Sequence, residues 1–563
     1  MKKTLASPAT QLAYRYDAVI VGSGYGAAIV AARLAQAGLS VAVLERGREW
    51  APGEFPSDEA SVVKAVRTPF EPLGLFDANV QPKNDLDVVV GCGLGGTSLI
   101  NAGIALRPED AVFEQPEWPA SIQRAWREGK LAAYYDRAEE MLGAYADGSL
   151  AAMRKVALHE QLVAARGVSH GLMKLAVSRH AHERHGAKLS PCTHCGDCVA
   201  GCNVGAKNTL ATNYLPLAKH HKAKIFTGLE VRTVAPAESG WELGFRFVDG
   251  EREGTVVGGI VVLGAGSMGS TEILLRSQRA GLPLGKMVGA RFSGNADIMA
   301  LSYAGRTRTD VLGYGATVAG VREGWPVGTT ISSYGDFRRG PPKNLQERFL
   351  LLQGAIPTAL ATLVSRAFGA WGMVSADARQ RALIQKDLLS LSGPDPDGAL
   401  NHSMLFLACG HDSGSGRLVL DDDDERVHVA WKGVGDERCF AAMTDEMMAL
   451  TEAHGGLFAP NPRSTLLGGS RQMTVHPLGG LPMGDDVDRG AVDHRGRVYD
   501  PEGKVHLGLY VADGSVIPRS LGVTPLLTIS ALAERIADGI VKSLPALHPQ
   551  RPTSRSPARG PEG

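Results

Sequence analysis

The chain has 563 residues, enough for large cores and for more than one domain. Apolar residues make up 44% and charged residues 21%, ordinary values for a folded water-soluble chain. The 59 basic and 59 acidic side chains cancel, which excludes nucleic acid and anionic lipid as main partners. No run of about 18 apolar residues is present, which excludes a spanning helix. The start, "MKKTLASPATQLAYRYD", lacks the apolar stretch of a secretory signal, so the expected compartment is cytoplasmic.

In chain order, "YDAVIVGSGYGAAIVAARLAQAGLSVAVLERG" reads as strand, glycine turn, helix and strand. A second glycine-rich turn, "VVVGCGLGGTSLINAG", follows at 88–103. Residues 104–190 read as mainly helical and polar, with "LAAYYDRAEEMLGAY" the clearest helix. "CTHCGDCVAGC" then packs four of seven cysteines into one turn-rich stretch. "AKIFTGLEVRTVAP" and "GTVVGGIVVLGAGSMGSTEILLRSQRAG" return to strands followed by a helix. Beyond 291, "GRLVLDDDDERVHVAW" alternates as a β-hairpin with a solvated acidic tip at Asp421–Glu425. Residues 349–374 are unusually apolar, either core or the wall of an apolar cavity. "LYVADGSVIPRSLGVTPLLTISALAERIADGI" gives a strand, a long loop and a closing helix, and the proline-rich tail reads as disordered.

The first turn carries chemistry. Gly22-Ser23-Gly24-Tyr25-Gly26-Ala27 fits G-x-G-x-x-A. Gly22 lets the chain leave the strand sharply, Gly24 admits a pyrophosphate, and Ala27 lets the helix pack closely. Glu45 closes the second strand, where an acid accepts from a ribose 2′-hydroxyl and repels a 2′-phosphate; FAD or NAD fits, NADP does not. Gly91, Gly93, Gly95 and Gly96 are too many for one strand–helix corner, and suggest backbone wrapped round a flat ring such as isoalloxazine.

"YDAVIVGSGYGAAIVAARLAQAG", "VGCGLGGTSLINAGI", "GAGSMGSTEILLRS", "HPLGGLPMG" and "LYVADGSVIPRSLGVTPLLTISALAER" occur in that order. Together they resemble the glucose–methanol–choline (GMC) flavoenzymes, and within them the cholesterol oxidase branch, from about residue 15 to 542. The resemblance implies an α/β fold: a Rossmann-type FAD-binding domain assembled from separated segments, plus an inserted α+β substrate domain with a mainly antiparallel sheet. The expected division is 1–110, 191–290 and 461–545 for the FAD domain, the second segment carrying the cysteine run. Residues 111–190 form a helical insert, 291–460 the substrate domain and 546–563 the tail. It further implies that Gly22, Gly24 and Glu45 hold the ADP half of FAD. Gly95, Asn101 and Gly103 lie along pyrophosphate and flavin, Val231 meets adenine through its backbone, and Asp513 and Gly514 hold the ribitol–pyrophosphate end.

Flavin-dependent alcohol oxidation needs a hydride moved from carbon and a base for the hydroxyl proton. His476, in "TVHPLGG", matches the family's active-site histidine. Thr524 stands where the family has Asn or His; its hydroxyl can donate one hydrogen bond but cannot act as a base. Where the sterol branch carries an acid that shifts the double bond, "IPTALATLVS" offers Ala361, and nearby Gln353 is no acid either. The expectation is oxidation of a hydrophobic, sterol-like or terpenoid alcohol without efficient isomerisation. Dioxygen, an electron-acceptor protein or a quinone would take the electrons. Another flavin chemistry on the same fold, such as fatty acid decarboxylation, and a purely electron-carrying role stay open.

Cys192, Cys195, Cys198 and Cys202 are spaced C-x2-C-x2-C-x3-C, the bacterial ferredoxin run, with Asn203 in place of the usual proline. A cytoplasmic chain disfavours a disulfide knot. The spacing points to an iron–sulfur cluster (4Fe–4S or 3Fe–4S), with zinc or reduced thiols as alternatives. Cys92, Cys409 and Cys439 read as small core residues.

Overall fold

Val19–Val21 and Val41–Leu44 are apolar on both faces, the pattern of strands covered from both sides. The computed structural model describes residues 4–250, 252–317, 320–321, 326–339, 344–390, 393–423, 426–461 and 472–547. It places those strands inside an eight-stranded sheet. β1 (Arg15–Val21) leads into α1 (Tyr25–Gln36), which returns the chain to β2 (Val41–Leu44), parallel to β1. β3 (Lys224–Phe226) extends the sheet beyond β2, and β4 (Leu229–Ala237) and β5 (Gly240–Phe247) form an antiparallel pair. β6 (Glu253–Leu263) is long enough to serve both halves. Its first residues pair with β5 and its last lie parallel to β1, Val262 opposite Ile20. α2 (Gly266–Arg279) follows at once.

The second sheet has six strands and is antiparallel throughout. It contains β7 (Ile298–Tyr303), β8 (Ile331–Asp336), β9 (Leu350–Gly354), β10 (Met404–Cys409) and β11 (Leu457–Pro460). Its edge beyond β8 is Ser169–Leu172, from the stretch expected to be helical. That stretch does hold helices, Ala132–Leu142 and Arg154–Ala165 among them, but also five short strands, Ser169–Leu172 included. "SHGL" is too short and too polar to show a two-residue period. The apolar run at 349–374 divides at Pro357 into β9 and α3 (Thr358–Ser375), because proline at N-cap starts a helix but cannot continue a ladder. α4 (Arg438–His454) packs on β7 and β11.

The hairpin Arg417–Leu420 with Val427–Ala430 forms as expected; Asp424 and Glu425 of its tip, and the tail from 548, lie outside the described residues. The chain then returns to the first sheet. β12 (Val505–Val511) lies parallel to β6, and α5 (Leu526–Leu547) packs along α1. Glu534 of α5 is fully buried and takes Arg33 of α1 at 2.7 Å, Arg137 at 3.1 Å and the Tyr214 hydroxyl at 2.8 Å. Among the described residues no helix is long and apolar enough to cross a membrane.

Candidate active site

The turn after β1 is built by contact. Gly22 has φ +87°, and a Cβ there would lie 2.5 Å from the Gly264 carbonyl oxygen. A Cβ on Gly26 would fall 1.4 Å from the oxygen of Ala512, so α1 can seat only on glycine. Gly24 is different: a Cβ there meets nothing nearer than 4.0 Å. The backbone face at the head of α1 is therefore open, as a pyrophosphate requires, and the residues fit a dinucleotide. Ala27 is buried against the Gly264 backbone.

Glu45 is buried at the end of β2, and burial pushes its carboxyl up. It accepts from the Ser23 hydroxyl at 2.5 Å and the Gly47 N–H at 2.7 Å, which leaves lone pairs for a ribose hydroxyl. Ser23 in turn accepts from the Gly95 N–H at 2.9 Å, so the two glycine turns lie against each other. Asn101 donates to the Tyr25 hydroxyl at 2.8 Å and accepts from the Gly103 N–H at 3.1 Å. Val231 is buried in β4 opposite Phe245, beside a slip in the ladder before Thr233. The Asp513 carboxylate is engaged inside the protein, by the Gly266 N–H at 2.8 Å, the Ser270 hydroxyl at 2.6 Å and the Ser515 N–H at 2.9 Å. The Gly514 carbonyl accepts from Gly479 at 3.0 Å, so the "DGS" turn and the His-Pro loop are bonded neighbours.

His476 follows the strand Gln472–Thr474, which runs parallel to Leu86–Val88 and so beside the second glycine turn. Its ring is 14% exposed, and Nδ1 lies 2.9 Å from Oδ1 of Asp297, whose side chain is 1% exposed. A carboxylate only accepts, so Nδ1 carries a proton, and in the neutral ring Nε2 presents a lone pair. The other Asp297 oxygen takes the Thr474 hydroxyl at 2.9 Å and the Val475 N–H at 3.0 Å. Paired bonds between Ser293 and Leu478, each 2.9 Å, bring the two segments together. Cys409 Sγ is 3.8 Å from His476 Nδ1; burial, and then the Asp297 charge, push its thiol well above the usual range, so it stays neutral. Thr524 is buried near the start of α5 and donates to the Ile104 carbonyl at 3.1 Å. In this rotamer it can accept from an alcohol but not donate to one.

Asp297 had no motif to announce it, being 179 residues from His476. Arg291, Asn295 and Ala296, all non-glycine, have φ of 53°, 55° and 45°. Such left-handed backbone costs roughly 1–3 kcal/mol per residue and persists where its surroundings hold it. Asp412 does so, accepting from Ser293 at 2.7 Å and from the Ala296 N–H at 2.8 Å; burial pushes its own carboxyl up to about 6. Asn295 adds bonds to Val523 and Leu521. Cys409, expected as a plain core residue, is buried but also borders His476.

The four clustered cysteines are free thiols lining a single cavity. Lys207 lies against them and donates to the carbonyls of Cys198 at 2.7 Å, Leu99 at 2.7 Å and Asn101 at 2.9 Å.

Comparisons with known proteins agree with this fold. A family model described as GMC oxidoreductase matches residues 16–293, and its C-terminal counterpart matches 418–533. A cholesterol oxidase of Acinetobacter baumannii is 27% identical, with 95% of each chain covered. A long-chain-alcohol oxidase of Arabidopsis thaliana is 26% identical over 94% of this chain and 68% of its own. Pyridoxine 4-oxidase from Mesorbium loti superposes with a TM-score of 0.61 at 16% identity, covering 93% of this chain and 98% of that one. A formate oxidase structure superposes with a TM-score of 0.63 at 15% identity, covering 95% and 99%. The chain belongs to the GMC oxidoreductase family, whose members bind FAD, and is an FAD-dependent oxidoreductase.

Proposed function

We propose that the chain oxidises the hydroxyl-bearing carbon of a hydrophobic alcohol, sterol-like or terpenoid, with His476 as the base. The observation that carries this reading is the His476–Asp297 pair at 2.9 Å. When bound, FAD supplies the acceptor for the hydride. His476 Nε2 takes the hydroxyl proton, and its Nδ1–H stays on Asp297, which holds the ring in one tautomer and stabilises the imidazolium that forms. Thr524, at the position where the family has Asn or His, orients the alcohol in this reading once its hydroxyl turns from Ile104.

The cholesterol oxidase and long-chain-alcohol oxidase names among the relatives support an apolar alcohol. Ala361 is buried in α3, and Gln353 is buried with its carbonyl on the Lys155 ammonium at 3.1 Å. Neither moves a proton, so a sterol product keeps its double bond in place.

Anaerobic rapid mixing of alcohol with the flavin-loaded protein tests this. His476→Ala is expected to slow flavin bleaching by about 10²–10⁴-fold while flavin stays bound. Undiminished bleaching would refute the assignment. Dioxygen as acceptor predicts one hydrogen peroxide per alcohol oxidised. A second reading, a dehydrogenase serving a protein or quinone, is favoured by the thiol cavity that Lys207 ties to Asn101, and predicts turnover with an artificial one-electron acceptor instead.

A further inference from the structure

The spacing of the four cysteines leaves open what their loop encloses; its backbone narrows the answer. His194, Gly196, Gly201 and Gly205 all have positive φ, from 58° to 104°, so the chain reverses repeatedly within twelve residues and curls round an interior. Cys192, Cys195, Cys198 and Cys202 all open into that interior, whose charged lining residues, among the described ones, are Asp197 and Lys207. In two-cluster ferredoxins the fourth cysteine of this run serves the neighbouring cluster. Here it faces the same space as the other three.

Two thiols already accept backbone hydrogen bonds, Cys192 from the His194 N–H at 3.4 Å and Cys202 from the Ala206 N–H at 3.3 Å. Two lysines are buried close by. Lys207 is 3% exposed and Lys155 fully buried, and their ammonium groups are bonded to carbonyl, hydroxyl and amide oxygens. Among the described residues both ammonium groups are held by oxygen acceptors that are not carboxylates.

The four sulfur atoms are also more widely spread than a single ion needs. A zinc tetrahedron with Zn–S near 2.3 Å places its sulfurs about 3.8 Å apart. Among the described residues, the one group of three or more possible ligand atoms all within 4.8 Å of one another is Asp297, Cys409 and His476. A cuboidal cluster is wider than one ion and holds its thiolates farther apart.

We propose that Cys192, Cys195, Cys198 and Cys202 hold one four-iron, four-sulfide cluster at the seam between the second glycine turn and the head of α3. The seam is well marked. On one side Lys207 bonds the loop to Leu99 and Asn101 of the second glycine turn. On the other, Asp197 accepts from Thr358 at the head of α3, Thr330 donates to Gly196, and Tyr314 donates to Thr193. Asn203, in the place of the ferredoxin proline, accepts the N–H groups of Gly53 and Phe55 at 2.9 and 3.0 Å. Each Fe–S(Cys) bond forms as one thiol proton leaves. Two ferric and two ferrous ions with four sulfides and four thiolates sum to two negative charges.

Iron and acid-labile sulfide, assayed on anaerobically purified protein, are expected at about four of each per chain, with a paramagnetic signal after dithionite reduction. Cys198→Ser and Cys202→Ser should each lose iron while FAD content holds; Cys439→Ser, in α4, should keep both. Protein that carries FAD but neither iron nor sulfide, even after anaerobic incubation with ferrous ion and sulfide, overturns the proposal. So does one zinc per chain. If the serine variants do not fold, the metal and sulfide content of the unaltered chain still decides.

Discussion

At the scale of the residue, the His476–Asp297 pair divides its labour. Asp297 takes the ring on one oxygen and Thr474 and Val475 on the other. Asparagine can copy only the first half, since its amide would set a donor against the donors of Thr474 and Val475. Asp297→Asn is therefore expected to slow anaerobic flavin reduction by about 10²–10⁴-fold, by analogy with the loss of a triad carboxylate. The dissociation constant of an apolar substrate analogue should change little, and Asp297→Glu should recover part of the rate. Equal losses in the rate and in analogue affinity would make Asp297 merely structural. His476 was legible in the sequence because histidine, proline and two glycines sit in an ordered motif. Asp297 was not, because its role comes from left-handed backbone at Asn295 and Ala296, which no periodicity encodes.

At the scale of the element, Asp77 pins strand, loop and hairpin together. It meets Arg46 at 2.6 Å, Arg426 at 2.8 Å and Arg67 at 3.6 Å. Burial raises its carboxyl, but the guanidinium groups of Arg46, Arg426 and Arg67 outweigh that and hold it well below the usual range. A group whose folded pKa is depressed adds stability above its unfolded value and loses it as pH falls towards the folded one. Asp77→Asn should thus lower the melting temperature most at neutral pH. The gap from the unaltered chain should narrow once pH drops below about 4, the unfolded carboxylate value. A gap independent of pH would show that the ion pairs do not act through charge. The β1–α1–β2 unit and the 417–430 hairpin could be read from their periods, as long apolar runs and clean alternation allow. Ser169–Leu172 could not, since an edge strand of four mixed residues is defined by its partner β8.

At the scale of the whole molecule, the site is where distant segments meet. The glycine turns, the α2 head, the His-Pro loop and the "DGS" turn come from both ends of the chain, bonded through Ser23, Ser267, Gly479 and Asp513. A ligand spanning them stabilises the fold by mass action. FAD removal should lower the melting temperature, and each tenfold rise of free FAD above its dissociation constant should restore about 1.4 kcal/mol. An apoprotein that melts at the same temperature would mean the cofactor is not lodged across these segments. The separated-segment architecture was readable from the order of five motifs. The way the second sheet borrows an edge from residues 169–172 was not, since pairing between remote strands leaves no local signature.

The return of β12 and α5 to the first sheet has a consequence in time. Val261–Leu263 wait for Leu509–Val511, and the apolar side of α1 waits for α5. During synthesis at roughly 5–20 residues per second, that strand flank and helix face stay bare for tens of seconds. Translation arrested before residue 505 would leave them so permanently. Nascent chains of this protein should depend on holding chaperones until α5 has left the ribosome.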